Sequence, residues 1–284
     1  MGSRSQPPHD LPMPVTAAGR EGLDALLRAP RRSVVALDFD GTLADIVPDP
    51  DQARAHPGAL PALSQLAPKV ASVAVITGRP AGVAVRYGGF AGAPGLEHLV
   101  VLGHYGAERW DAVSGNVQTP AEHPGVAAVR AELPGYLDSI GAWQGTWIEE
   151  KGRALAVHTR RTEDPSAAFA ALREPLDELA RKHGLMVEPG RAVLELRPPG
   201  TDKGVALTEY LAEVDAEAVV YAGDDLGDLA AYAAVEKRRA DGRPGLLVCS
   251  GSAEVPELAA RADLVLSGPA EVAAFLASLA HAIA

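Results

Sequence analysis

Residues 34–46 read VVALDFDGTLADI, an aliphatic run that ends in two carboxylates, Asp38 and Asp40, separated only by Phe39 and followed by Gly41 and Thr42. Other aliphatic runs end in Thr77-Gly78-Arg79 and in Gly223-Asp224-Asp225 with Asp228 beyond, and Lys203 opens the segment that leads to the latter. In open α/β sheets ligands sit beyond the carboxyl ends of the strands, so these ends are read together. Carboxylates gathered at one rim repel one another unless a cation sits among them, and hard oxygen ligands of this kind select Mg²⁺. A hydroxyl (Thr77) and an ammonium (Lys203) at the same rim suit phosphate oxygens and the charge that moves during phosphoryl transfer. A carboxylate can itself attack phosphorus, while a second one first protonates the leaving oxygen and then activates water. Asp38 is the expected nucleophile and Asp40 the expected general acid and base. Gly41 lets the chain turn sharply beside the phosphate, and Thr42 helps to fix the turn. Thr77 is also a preferred helix-capping type, so a dual role is expected there. Arg79 is either a surface residue or a contact of the site.

The elements that must position these groups follow from the pattern of apolar runs. Short, β-branched stretches at 33–39, 70–77, 218–224 and 244–250, with a fifth at 98–103, alternate with helical periodicity, which predicts a doubly wound parallel sheet of the α/β class. Leu60, Leu63 and Leu66 form one face of a helix between the first two runs, and another helix is expected around 19–28. The alternation breaks between about 110 and 200. There, TWIEEKG and RALAVHTR read as a hairpin turning at Lys151-Gly152-Arg153, and LMVEPG and AVLELRP as a second strand pair. Helices are expected at 124–139 and 164–184. This α-β-β-α-β-β order predicts an antiparallel α+β unit inserted into the α/β domain. The expected organisation is a disordered leader at 1–15, a core from 16–110 and 200–284, and an inserted unit at 111–199.

The 284 residues carry a formal charge of −11 with no block of Lys or Arg, which argues against a nucleic-acid partner. Apolar residues at 47% provide for a substantial core, built mainly from aliphatic side chains because aromatics are only 5%. No stretch resembles a signal peptide or reaches the roughly 18 to 20 apolar residues of a membrane span, so no membrane association is expected. The single cysteine, Cys249, excludes an internal disulfide framework and a multi-cysteine zinc site, and fits a reducing cytoplasm. It reads as a buried small hydrophobe. Trp110, Trp143 and Trp147 read as packing residues of the inserted unit.

DFDGTL (38–43), ITGR (76–79), DKG (202–204) and GDDLGD (223–228), in this order, resemble the motifs of the haloacid dehalogenase (HAD) superfamily of phosphatases, and the insertion resembles its C2-type cap. The resemblance implies a Rossmann-like core and Mg²⁺ ligated by the side chains of Asp38 and Asp224 and by the main-chain carbonyl of Asp40. It further implies that Asp225 supports the metal through water and that Asp228 orients Lys203. GHYGAE (103–108), EEKGRALAVHTR (149–160) and VLELRPPGTDKG (193–204) are similar to segments of the trehalose-6-phosphate phosphatases. That family implies trehalose 6-phosphate as substrate, an aspartyl-phosphate intermediate, and Glu149, Lys151, Arg160 and Glu195 as sugar contacts. It also suggests functional pairing with a trehalose-6-phosphate synthase. HTR stands where the family carries His-Tyr-Arg, and Gly227-Asp228-Leu229 stands in place of a Thr-Asp-Glu ending. Glu149 shares a strand face with Lys151, and Glu150 points the other way. His104 is either a turn histidine or a ligand, and His158 is equally open. Closure of the cap over the core would exclude water from the reaction. Another sugar phosphate, such as sucrose phosphate, is the alternative substrate. A non-catalytic sugar-phosphate sensor is the alternative from outside enzymology.

Overall fold

A computed structural model describes residues 11–190, 192–251 and 255–283. Along the chain these form α1 (Ala17–Arg28), β1 (Ser33–Leu37), α2 (Ala59–Leu66), β2 (Ser72–Ile76), α3 (Ala81–Gly88), β3 (Leu99–Gly103), β4 (Glu108–Asp111) and β5 (Val117–Gln118). There follow α4 (Pro124–Ser139), β6 (Trp147–Glu150), β7 (Leu155–His158), α5 (Pro165–Lys182), β8 (Met186–Gly190) and β9 (Val193–Arg197). The chain ends with α6 (Lys203–Glu213), β10 (Ala218–Gly223), α7 (Asp228–Ala240), β11 (Gly245–Ser250), α8 (Pro256–Arg261), β12 (Leu264–Leu266) and α9 (Pro269–Ala282). Two compact units result. A core unit runs up to Thr119 and resumes at Asp202, and an inserted unit spans Pro120–Thr201.

The core unit holds one sheet in the order β12-β11-β10-β1-β2-β3-β4-β5, parallel from β12 to β3 and antiparallel at β4 and β5. Alternate residues of β1 feed two different apolar clusters: Val35 and Leu37 pack with α1, α2, α3 and α9, whereas Val34 and Ala36 pack with α6, α7 and α8. Burial on both faces explains why the parallel strands read as continuous aliphatic runs. Chain order reverses at β1, which lies between β10 and β2, so the crevice for a ligand opens where β1 ends at Asp38.

β4 and β5 extend this sheet, which moves the start of the inserted unit from the expected 111 to 120. Trp110, expected to pack in the inserted unit, is instead buried in the core cluster. Residues 1–10 of the expected disordered leader lie outside the described residues. The rest of it, 11–15, is placed, with the Val15 N–H donating to Asp263 O at 2.8 Å. Among the described residues no helix is long and apolar enough to cross a membrane.

The inserted unit is a four-stranded antiparallel sheet, β6-β7-β9-β8, whose pairing puts Glu149, Ala156, Glu195 and Glu188 in one cross-strand row. Leu155, Val157, Leu194, Leu196, Ile148 and Val187 face the apolar side of α4 and α5. Alternation then sends Glu149, Ala156, Glu195 and Glu188 to the other face. The β6–β7 hairpin closes as expected, with Gly152 at φ +77° and the Lys151 N–H donating to Ala154 O at 3.0 Å.

Candidate active site

The backbone of Asp38 is locked by the sheet, its N–H donating to Ala222 O at 2.9 Å where β1 parts from β10. Lys203, the first residue of α6, is buried beside it. Its ammonium lies 3.0 Å from Asp38 Oδ1, 2.8 Å from Asp228 Oδ1 and 3.6 Å from Asp225 Oδ1. Burial alone would lower the proton affinity of this amine, but Asp225, Asp228 and Asp38 together raise it well above the ordinary lysine value. The site therefore contains a fixed positive charge at neutral pH.

Asp38, Asp224 and Asp228 offer carboxylate oxygens within 4.8 Å of one another, a set that can surround a cation. Hydrogen bonding separates their roles. Asp228 is fully used: Oδ1 accepts from Lys203 and from the Tyr221 hydroxyl (2.6 Å), and Oδ2 accepts from the N–H groups of Asp224 (2.9 Å) and Asp225 (3.0 Å). With its lone pairs occupied, it orients Lys203 and the β10–α7 turn rather than holding a metal. Asp224 Oδ1, in contrast, is buried and has no hydrogen-bond partner. Its pKa is pushed up to about 10 by burial and then by Asp38, Asp228 and Asp225. Asp38 is likewise raised well above the ordinary aspartate value, chiefly by burial. An orphaned buried carboxylate oxygen next to a second buried carboxylate fits a hard divalent cation, which would satisfy both.

Gly41 shows why this arrangement needs its glycine. Its φ is +74°, and a Cβ built there would sit inside the Asp224 carboxylate. Its carbonyl accepts from Ser250 Oγ at 2.6 Å, which ties the turn to the end of β11. Thr42 is buried, with Oγ1 lacking a partner.

On the β2 side, the side chain of Asp40 is gripped by Arg79, whose Nε and Nη2 each donate to one carboxylate oxygen at 2.7 Å. Arg79 thus touches the site. Thr77 Oγ1 accepts from the Arg79 N–H at 3.1 Å, so the hydroxyl closes the turn at Gly78 rather than capping α3, which starts at Ala81 after Pro80. As acceptor in that bond it keeps its own O–H to donate. His104, at φ +48°, is buried with Nε2 4.0 Å from Glu108 Oε1, and its N–H donates to Arg79 O at 2.9 Å. That ties His104 to the Gly78-Arg79 turn, within the core unit.

The expected sugar contacts lie in the inserted unit. Glu149 Oε2 is 2.8 Å from Nε2 of buried His158, whose ring stacks on Trp147 at 4.0 Å between centroids, the planes 6° apart. Lys151 Nζ donates to Glu195 Oε2 at 2.6 Å, and Glu195 Oε1 is buried without a partner. Glu150 points away, as expected, and pairs with Arg130. Arg160 lies in the exposed turn after β7, so it does not continue the strand face of His158. Sequence reading passed over Tyr221 and Ser250, although each is a polar residue in an aliphatic strand, which is a usable signal. It also passed over Glu188 and Arg197.

The family described as Trehalose-phosphatase matches residues 36–266. The chain is 33% identical over 280 residues to the trehalose-phosphate phosphatase of Mycobacterium marinum, covering 95% of this chain and 66% of that protein. With the Mycobacterium avium trehalose-phosphate phosphatase the identity is 36% over 272 residues, covering 91% of this chain and 64% of that protein. The chain therefore spans just under two thirds of the length of these relatives. Among solved structures, it is similar to the C-terminal domain of Candida albicans trehalose-6-phosphate phosphatase, with a TM-score of 0.72, 22% identity, and 96% and 99% of the two chains covered. A haloacid dehalogenase-like hydrolase from Bacteroides thetaiotaomicron matches with a TM-score of 0.59 and 16% identity, covering 86% of this chain and 98% of that one. These two likenesses concern the fold, a HAD-type core with an inserted α+β unit. The extent of the family match and the identity to the mycobacterial proteins establish that this chain belongs to the trehalose-phosphatase family.

Proposed function

We propose that the protein is a Mg²⁺-dependent phosphatase that hydrolyses trehalose 6-phosphate to trehalose and phosphate through a phospho-Asp38 intermediate. The observation that carries this reading is the grouping of Asp38, buried Lys203 at 3.0 Å and Asp224 with its orphaned Oδ1 at one sheet edge. Asp38 and Asp224, with the main-chain carbonyl of Asp40, would hold Mg²⁺, and Asp225 would support it through water. When bound, the ion supplies positive charge that lets acidic groups approach an anionic ester.

In the first step an Asp38 oxygen bonds to phosphorus, the bond from phosphorus to the sugar oxygen breaks, and Asp40 gives its proton to that oxygen. In the second, Asp40 takes a proton from water as the water oxygen bonds to phosphorus. The phosphorus–Asp38 bond then breaks, which restores the carboxylate and frees phosphate. Lys203 balances charge on the transferring group, and the free O–H of Thr77 donates to one of its oxygens. Gly41, Thr42 and Gly78 shape the backbone around the phosphate. Glu149, Lys151, Arg160 and Glu195, with His104, would recognise the sugar, carboxylates accepting from hydroxyls and cations donating to them. We further place the protein in the cytoplasm, beside a synthase that makes its substrate. The single cysteine, buried at Cys249, supports a reducing compartment.

Phosphate release from a panel of sugar phosphates, with and without Mg²⁺, tests the reading. The expected result is Mg²⁺-dependent turnover with a kcat/KM for trehalose 6-phosphate well above those for glucose 6-phosphate and sucrose phosphate. Comparable kcat/KM on glucose 6-phosphate would remove the disaccharide assignment. Tight binding of trehalose 6-phosphate without phosphate release would favour a sensor.

A further inference from the structure

The row Glu149–Ala156–Glu195–Glu188 crosses all four strands of the inserted unit on the face its own helices leave uncovered. Glu195 and Glu188 are directly opposite in the β8–β9 pairing. Like charges in that relation weaken a sheet. The sheet compensates with a cation for each of the two: Lys151 Nζ donates to Glu195 at 2.6 Å, and Arg197 Nη2 donates to Glu188 Oε2 at 2.9 Å. A fold alone would be served as well by small or β-branched residues on this row. Keeping carboxylates there makes sense where a ligand supplies hydroxyl donors.

Two observations mark the row as facing a ligand rather than only itself. Glu195 is 4% exposed, yet its Oε1 has no partner, an unmet acceptor that a hydroxyl would satisfy. Glu188 keeps 32% of its side chain accessible although the Arg197 side chain that grips it is only 5% exposed, so the acid is held by a buried partner and still open to solvent. Neighbouring strands are about 4.8 Å apart, so Glu188 extends a line of acceptors from Glu195 by one strand, close enough for both to reach hydroxyls of one sugar on non-adjacent carbons. We propose that Glu188, held by Arg197, is a specificity-determining residue that accepts hydrogen bonds from the trehalose hydroxyls. The inference rests on the reading of the protein as a trehalose 6-phosphate phosphatase.

The test compares kcat/KM for trehalose 6-phosphate with that for p-nitrophenyl phosphate, which has no sugar, in wild type, Glu188→Gln and Glu188→Ala. Glu188→Gln keeps an acceptor for Arg197 and remains informative if Glu188→Ala folds poorly. The ratio of the two kcat/KM values is expected to fall about tenfold in Glu188→Ala, the effect of one charge-assisted hydrogen bond, and by less in Glu188→Gln, carried mainly by KM. An unchanged ratio overturns the proposal, whether both substrates are unaffected or both lose equally, as they would if Glu188 only braced the sheet. Failure of the underlying reading shows separately, as a wild-type enzyme that does not prefer trehalose 6-phosphate to glucose 6-phosphate.

Discussion

The guanidinium of Arg79 takes both carboxylate oxygens of Asp40, at 2.7 Å each. It is itself flanked by the rings of Tyr87 (5.2 Å to the centroid) and Phe39 (5.8 Å). A fork held this way fixes the rotamer of the carboxylate that must deliver and recover a proton. An ammonium is a point charge on a flexible stem and lacks the planar fork that matches the two oxygens of a carboxylate. Arg79→Lys is therefore expected to lower kcat about 10- to 100-fold, within the range general acid–base catalysis supplies, with a much smaller change in KM. Steady-state kinetics at saturating Mg²⁺ checks this, and near-normal kcat would detach Arg79 from the proton-transfer step.

Replacing Asp38 by Asn keeps the shape and removes the nucleophile. Turnover should fall by about 10⁴-fold or more. Mass spectrometry of acid-quenched enzyme should find a phosphoryl group on the wild type during turnover and none on Asp38→Asn. A variant that turned over near the wild-type rate would require another nucleophile.

The acidic cluster makes stability depend on pH and on metal in a defined direction. The Asp224 carboxyl is pushed up to about 10 in the fold, by burial and by Asp38, Asp228 and Asp225 against the opposing pull of Lys203. Its unfolded value is about 3.9. The folded state therefore binds more protons than the unfolded state between these values, so metal-free stability falls as pH rises through that window. Metal binds the deprotonated form. Thermal unfolding should show a metal-free Tm that declines from pH 5.5 to 8.5 and a Mg²⁺-induced rise that grows over the same range. Asp224→Asn has no carboxyl that must take up a proton on folding, so its metal-free Tm at pH 8 should exceed that of the wild type and the response to Mg²⁺ should vanish. A pH-independent Tm with equal Mg²⁺ shifts would contradict the assignment.

Gly41→Ala tests the close approach of the first turn to Asp224. The positive φ costs about 1 kcal/mol for a residue with a Cβ. The larger effect is steric, since the new methyl would occupy the space of the Asp224 carboxylate. Activity should drop by at least about 100-fold, the scale of a 1 Å misplacement of reacting groups. The circular dichroism spectrum should remain that of a folded protein.

What could be read in the sequence follows physical reach. Asp38, Asp224 and Lys203 are legible because each follows or opens an element whose pattern is strong, and the switch-point rule then brings them to one edge. The Arg79–Asp40 clamp is not legible, because it joins two turns whose spacing is set by the β1–β2 register. The two-residue strand at 117–118 carries too little pattern to find, and this is why Trp110 was expected in the wrong unit. The row containing Glu188 emerges only from the pairing of β7 with β9, which are not consecutive in the chain. Alternation within one strand reveals a face, but not which residues of other strands share it.

The Lys151–Glu195 pair gives the sharpest separation of structural from binding roles in the inserted unit. Glu195 is 6% exposed at its side chain and Lys151 20%, with 2.6 Å between them. Removing only Lys151 leaves a buried carboxylate uncompensated, which costs about 3 kcal/mol or more. Removing both charges with side chains of similar size leaves neither stranded. Lys151→Met should therefore lower the Tm several degrees, and Lys151→Met with Glu195→Gln should recover most of that loss. Recognition should follow the opposite pattern. Glu195→Gln alone is expected to raise the KM for trehalose 6-phosphate about tenfold, through loss of a charged acceptor, and the double variant should be no better. Stability restored without KM restored would mean that the sheet tolerates a neutral pair where the substrate does not. If KM recovered together with Tm, the two residues would serve the fold alone, and sugar recognition would have to be sought on other side chains of that face.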